Sequence, residues 1–221
     1  MAAIRLGPAL TMLPRFILAS ASPARLTLLR NVGIEPEVIV SAVDEEAVAA
    51  AAGWSTPHDI SQGLAIAKAR AVAKSVSDSA LVIGCDSVME FDGKAYGKPE
   101  NPAVAKERLT AMSGASGFLY TGHHVLHVED GQLREASALV RTEVRFHEIS
   151  EAEIDAYIAT GEPLRVAGSY TLDSLGGPFI KEIVGDATNV VGLSVPALRL
   201  LLAELGFGWE LVLIAAANRP V

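Results

Sequence analysis

The sequence predicts one α/β domain on a mixed sheet, in two lobes with a cleft between them. Three observations carry this. Strand, helix and strand follow one another between residues 16 and 42, the order of a βαβ unit. Residues 81–91 (LVIGCDSVMEF) form the strongest strand pattern in the chain and run into Asp92-Gly93, a hairpin signal. Two long strand-like runs, 118–128 and 133–147, flank a second such signal, Asp130-Gly131.

Residues 16–20 (FILAS) read as a buried strand. Ser22 suits a helix N-cap and Pro23 the first helical position, where its missing N–H costs nothing. Leu26, Leu28, Leu29 and Val32 make that helix's apolar face, and Gly33 ends it. Residues 37–42 read as the next strand, leading into an acidic turn at Val43-Asp44-Glu45-Glu46. The Ala-rich residues 47–56 carry no clear signal. Helical spacing returns from Asp59 to Ser75. After the 81–91 strand, Lys94-Ala95-Tyr96 starts a return strand ending at Gly97-Lys98-Pro99. Asn101-Pro102 opens a helix to Met112, closed by Gly114. Ser150 and Glu153 form a capping-box pattern before another helix. Residues 165–184 hold several glycines and two short apolar runs, and Ser194–Leu205 is a last amphipathic helix.

Composition narrows the function. The 221 residues are half hydrophobic and one fifth charged, enough for a real core and too apolar for disorder. The formal charge is 18 − 26 = −8, which disfavours a phosphate-backbone partner and so any nucleic acid. A local cationic cluster would still hold a small anion. One cysteine excludes a disulfide framework and fits a reducing, cytoplasmic setting. There is no apolar run long enough to span a membrane. Pro8, Pro14 and Arg15 interrupt the apolar N-terminus, so we expect no signal peptide; residues 1–14 read as an extension, with Met12 an alternative start.

Several groups have chemistry in reach. Ser20, Ser22 and Arg25 surround a strand-to-helix turn, where free N–H groups and the helix dipole favour anions. A plain capped helix explains the same residues. Asp44, Glu45 and Glu46 supply carboxylates that suit Mg²⁺ as well as a solvated loop. Asp86 interrupts an apolar strand, unusual for a charge without a partner or metal. Cys85 then points to the opposite face, into the core. Lys98 beside Gly97 is a mobile cation where backbone can approach a ligand, and Lys68 is a further cation on the preceding helix. His123, His124 and His127 look like a metal cluster; we read them as a surface strand. No GxSxG turn occurs.

Taken in order, LASASPARLTLL, VDEE, LAIAKARAVA, VIGCDSVMEFDGKAYGKP, SG…YTG and AGSYTLDSLGGPFIKEIVGDATNVVGLSV resemble the blocks of the Maf family. These are nucleoside triphosphate pyrophosphatases once tied to septum formation. The resemblance spans residues 16–207 and implies one Maf-like domain over 1–221. It implies a long twisted mixed sheet flanked by helices, two lobes with a central cleft, similar to the inosine triphosphate pyrophosphatases. It further implies hydrolysis between the α and β phosphates, a divalent cation (Mg²⁺ or Mn²⁺), and a homodimer.

Residue by residue, the resemblance assigns Ser20, Ser22 and Arg25 to substrate binding and Glu45 and Asp86 to the metal. Lys68, Asp86 and Lys98 take the catalytic roles, with Asp86 as proton acceptor. Three positions depart from members that act on thymidine or uridine triphosphates: Ala24 replaces an arginine, Ser87 a threonine and Asp173 a glutamine. A carboxylate accepts hydrogen bonds only, so Asp173 favours a base edge bearing donors. The pattern is closer to the branch acting on a methylated guanosine triphosphate. Two rivals remain: a nucleotide-binding module in cell division without turnover, and a hydrolase using Cys85 or Ser87 as nucleophile.

Overall fold

The computed structural model describes residues 13–218. The start at Met12 and all of the expected extension except Leu13 and Pro14 lie outside them. Seven strands alternate with eight α-helices: β1 (Arg15–Leu18), α1 (Pro23–Asn31), β2 (Glu37–Val38), α2 (Glu45–Ala52), α3 (Pro57–Ala73), β3 (Ala80–Phe91), β4 (Lys94–Tyr96), α4 (Pro102–Met112), β5 (Ser116–Glu129), β6 (Gln132–Phe146), α5 (Glu151–Ala159), β7 (Ile180–Val184), α6 (Ala187–Val191), α7 (Val195–Glu204) and α8 (Trp209–Ala217).

The sheet order is β2-β1-β3-β5-β6-β7, with β4 pairing the far end of β3. β1 runs parallel to β2 and β3; every other pairing is antiparallel. The sheet is therefore mixed, as expected. Both Asp-Gly signals make two-residue turns, with Asp92, Gly93, Asp130 and Gly131 all at positive φ. That is the geometry a primed hairpin turn requires. Ser22, Asn101, Ser150 and Ser194 cap their helices, and Ser150 with Glu153 completes the capping box.

Alternation along β3 distributes the core. Leu81, Ile83 and Cys85 join Phe16, Leu18, Leu198 and Leu202 on one face. Val82 joins Ile17, Ala69 and Val72 on the face covered by α3. Met89 belongs to a separate cluster with Leu109, Phe146, Tyr157 and Tyr170. Between Cys85 and Met89 the same face carries Ser87. A polar seam thus crosses the sheet at the level of residues 86–87 and parts the two lobes.

Two glycines bring α3 down onto that seam. A Cβ at Gly84 would lie 2.3 Å from the Ala65 carbonyl oxygen, and one at Gly122 would lie 2.3 Å from that of Ser61. Helix backbone rests directly on strand backbone at both points. Gly122 pairs with Asp86.

Several local expectations change. The strand expected over 37–42 shrinks to two exposed edge residues. Asp44-Glu45-Glu46 is not a loop: Asp44 caps α2, and the Ala-rich stretch is helical. Acids in a first turn and alanines after it are a helix signal that lacks an apolar face. Residues 165–184 form 3₁₀ turns and one short strand. α6 and α8 were not foreseen.

The histidines need the clearest correction. β5 is central, not superficial, and His123, His124 and His127 are all buried. They are also not a ligand set, because His124 points to the face opposite His123 and His127. His123 Nε2 accepts from the Ser194 N–H at 2.8 Å, and His124 Nδ1 meets Ser137 Oγ at 2.7 Å. Among the described residues no group of three or more His, Cys, Asp or Glu side chains converges.

Burial, helped by the nearby Arg25 charge, pushes the His123 pKa down to about 4. The folded chain then keeps this imidazole neutral while the unfolded chain protonates it near 6.5. The unfolded state binds more protons in that window, so stability rises with pH across it and is lost as pH falls below 6.5. Urea unfolding at pH 7.5 and pH 5 should differ by about 2 kcal/mol from this group alone. His123→Gln should remove that share of the difference; an unchanged pH dependence would exclude His123 as its source.

Candidate active site

Two sets of buried polar groups meet at the seam, one on each face of the sheet. On the α3 face, Lys68 Nζ lies 2.6 Å from Asp86 Oδ1 and 2.8 Å from Glu45 Oε1. Lys68 descends from the fourth turn of α3, which the glycine contacts hold against β3. Glu45 arrives from the first turn of α2. Lys68 and Asp86 are buried, while Glu45 is half exposed. Burial raises the Asp86 pKa; the Lys68 and Arg25 charges pull it back, and Glu45 adds to the rise.

On the α1 face, Arg25 is buried at 8% exposure. Its Nε donates to the Gly192 carbonyl at 2.7 Å, its Nη1 to Ser20 Oγ at 3.0 Å and its Nη2 to Ser87 Oγ at 3.0 Å. All three acceptors are neutral. A buried cation normally sits against an anion, since desolvation otherwise penalises it heavily. Here neutral oxygens anchor the charge, and the acid that offsets part of it, Asp86, is not a hydrogen-bond partner. Ser22 caps α1 through the Arg25 N–H, and Ser20 Oγ also accepts from the Ser22 N–H.

Thr121, Asn189 and Gly192 support this anchor, and no residue-level reading of the sequence singled them out. Ser87 Oγ and Thr121 Oγ1 lie 2.9 Å apart, and Thr121 Oγ1 donates to the Asn189 carbonyl at 3.1 Å. Asn189 is wholly buried and its Nδ2 bonds Thr142 Oγ1 at 3.0 Å, tying α6 to β6. A Cβ at Gly192 would lie 3.2 Å from Arg25 Nε, so a larger residue would crowd the guanidinium. The YTG and DATNVVG blocks are the only signal for these residues, and hydroxyl and amide scaffolding has no periodicity to find.

Lys98 and Asp173 stand apart. Both are exposed, and neither makes a hydrogen bond or ion pair among the described residues. The β3–β4 register pairs Met89 with Tyr96. Continued by two residues, it would set Lys98 opposite Ser87. The Gly97 carbonyl is gripped by Arg108 Nη1 at 2.8 Å and by the Gly168 N–H at 3.3 Å. This ties the Lys98 loop to the segment that leads to Asp173. Ala24 is half buried on α1 beside Arg25.

Cys85 is buried, and desolvation pushes its thiol up to about 11. It stays protonated at neutral pH, which argues against a thiol nucleophile. An apolar groove of about 640 Å³ lined by Val32, Val195, Pro196, Trp209 and Leu213 contains none of the candidate residues.

The family model described as Maf-like protein matches residues 15–205. This chain belongs to the Maf-like family. It is 54% identical over 195 residues to a protein of Streptomyces coelicolor named nucleoside triphosphate pyrophosphatase, covering 88% of this chain and 92% of that one. A protein of the same name from Saccharopolyspora erythraea is 50% identical over 197 residues, covering 87% and 93%. A solved nucleoside-triphosphatase / dITP/XTP pyrophosphatase from Mycobacterium abscessus aligns over 94% of this chain and 100% of its own, with a TM-score of 0.38 and 13% identity. That likeness is too loose to bear an argument. No single helix among the described residues is long and apolar enough to cross a membrane.

Proposed function

We propose that this Maf-like chain, read as one domain, hydrolyses nucleoside triphosphates between the α and β phosphates, releasing a nucleoside monophosphate and pyrophosphate. The observation that supports this reading most is the Lys68–Asp86–Glu45 cluster with the buried Arg25 guanidinium near enough to lower the Asp86 pKa. Negative charge grows on the departing pyrophosphate, and fixed cations stabilise it. Arg25 offers a planar donor fork for phosphate oxygens. Lys68 is a second cation, now held by two acids. Asp86 accepts the proton of the attacking water. Burial raises its pKa while Lys68, Arg25 and a bound metal would lower it, so Asp86 serves that role chiefly through position.

Glu45 and Asp86 each set an oxygen within 2.8 Å of the Lys68 ammonium, and this pair of carboxylates around one positive charge supports a metal role for them. Two carboxylates plus substrate phosphates are a usual Mg²⁺ environment. Glu45 and Asp86 are therefore the residues that would hold Mg²⁺ or Mn²⁺. Such an ion would polarise the α-phosphate and lower the pKa of bound water. We read the protein as cytoplasmic, a homodimer, and active in clearing modified nucleotides.

A non-hydrolysing nucleotide module is the less economical reading, because a pure binder gains nothing from a buried acid beside phosphates. Pyrophosphate release over a panel of standard and modified nucleoside triphosphates, with and without Mg²⁺ or Mn²⁺, tests the assignment. No release from any of them would overturn it.

Lys98 has no folded-state partner to lose, so Lys98→Ala should leave the Tm unchanged. If it contacts phosphate in the complex, kcat/KM should drop roughly 10²–10³-fold. Unchanged kinetics would remove it from the site. Asp173→Gln should shift preference toward thymidine and uridine triphosphates, because an amide donates as well as accepts. A wild type that already prefers thymidine triphosphate, with an unaltered variant, would refute the base-reading role.

A further inference from the structure

Glu162 is an acid that the catalytic reading does not use. It opens a 3₁₀ turn after α5 and makes no ion pair among the described residues. Its carboxylate is instead filled by neutral donors. Oε1 accepts from Tyr157 OH at 2.9 Å, Thr171 Oγ1 at 2.5 Å and the Gly176 N–H at 3.2 Å. Oε2 accepts from Ser174 Oγ at 2.7 Å and the Leu175 N–H at 3.4 Å. Four of these five donors belong to residues 171–176, the segment that contains Asp173.

Besides Glu162, the Thr171 N–H donates to Tyr157 OH at 3.2 Å, and within the segment the Gly176 N–H reaches Thr171 Oγ1 at 3.1 Å. The segment has no strand ladder or α-helix, and Asp173, Ser174 and Leu175 are exposed. Its fold is close all the same: a Cβ at Gly176 would lie 2.5 Å from Tyr157 OH and 2.7 Å from the Thr171 backbone. Glu162 is thus a template around which the loop is wound. Charged acceptors bind neutral donors roughly twice as strongly as neutral ones do, which suits a carboxylate to hold an exposed loop. Asp173 itself is left without an internal partner, free to meet a ligand.

We infer that Glu162 is the positioning residue for nucleobase selection: it fixes the 171–176 loop so that the Asp173 carboxylate meets the donor-bearing edge of the base in one orientation. The inference rests on the base-reading role proposed for Asp173. The phosphate-side groups lie elsewhere, at the 86–87 seam, so the two functions should separate on mutation.

The test compares wild type, Glu162→Ala, Glu162→Gln, Asp173→Ala and the Glu162→Ala/Asp173→Ala double variant on a nucleoside triphosphate panel. Inorganic tripolyphosphate, which has no base, is run as an inhibitor in parallel. Glu162→Ala should raise the KM of the preferred nucleotide roughly tenfold and flatten the preference among bases. Its kcat and its inhibition by tripolyphosphate should change little. Glu162→Gln keeps an Oε1 acceptor for Tyr157, Thr171 and Gly176, and should recover most of the preference. The double variant should select no worse than Asp173→Ala. Should Glu162→Ala not fold, Ser174→Ala and Thr171→Val, which each remove one hydroxyl donor to the carboxylate, give the same comparison with smaller shifts.

If Asp173→Ala flattens the preference but Glu162→Ala keeps it, the positioning role is overturned and the Asp173 reading stands. If Asp173→Ala leaves the preference intact, both fall together. A Glu162→Ala loss shared equally by every nucleotide and by tripolyphosphate would show a general structural role and overturn the inference.

Discussion

Asp86→Asn should lower kcat by roughly 10²–10⁴-fold, the range for loss of a positioned general base, while nucleotide binding survives. The substitution is nearly isosteric and removes only the capacity to take a proton and to carry negative charge. Asp86 is buried at 8% exposure, and burial already disfavours its ionised form. The fold should therefore tolerate the neutral amide with little change in Tm. Lys68 loses one acidic partner and keeps Glu45 at 2.8 Å. With one fewer negative charge beside the triphosphate, affinity for an α,β-methylene analogue should hold or tighten. Pyrophosphate release and equilibrium binding of that analogue check both halves. Turnover at the wild-type rate would withdraw the proton-acceptor role.

Arg25→Met is the second large effect, and it separates function from stability. Methionine fills much of the same volume and carries no charge. We expect kcat/KM to fall roughly 10²–10³-fold, as for loss of one preorganised oxyanion donor. Stability should change far less. Arg25 is bonded only to Ser20, Ser87 and Gly192, so its desolvated charge has no acidic hydrogen-bond partner to repay the cost of burial. Removing that cost offsets the lost bonds: Ser20 Oγ still accepts from the Ser22 N–H and Ser87 Oγ still meets Thr121 Oγ1, so only the Gly192 carbonyl is left orphaned, at about 1–3 kcal/mol. A thermal melt run with and without pyrophosphate reads both. Wild type should gain Tm on adding pyrophosphate, and the variant should gain much less. A variant that unfolds but keeps its kinetics would make Arg25 structural.

Local chemistry wrote much of the fold into the sequence. The Asp-Gly turns, the Ser22, Asn101, Ser150 and Ser194 caps and the apolar β3 run each depend on a few adjacent residues, so each is legible without the rest of the chain. What was misread depended on neighbours. His123, His124 and His127 resemble surface residues until β6, α3 and α7 close over them. The Ala-rich α2 has no apolar stripe to announce it. Glu162 is one glutamate among many until Thr171, Ser174 and Gly176 turn back onto it.

For the site, the sequence alone marked Asp86 as a charge in an apolar strand, and Ser20, Ser22 and Arg25 as a strand-to-helix anion turn. It determined these because side-chain period and capping act over a few residues. Only the tertiary structure decided that Lys68 reaches both Glu45 and Asp86, and that Arg25 is buried against neutral oxygens. Those facts rest on α3 touching the sheet at Gly84 and Gly122 and on Gly192 approaching the guanidinium. Such approaches join residues tens of positions apart, and the cost of burying a charge depends on the whole surrounding volume, which no local pattern encodes.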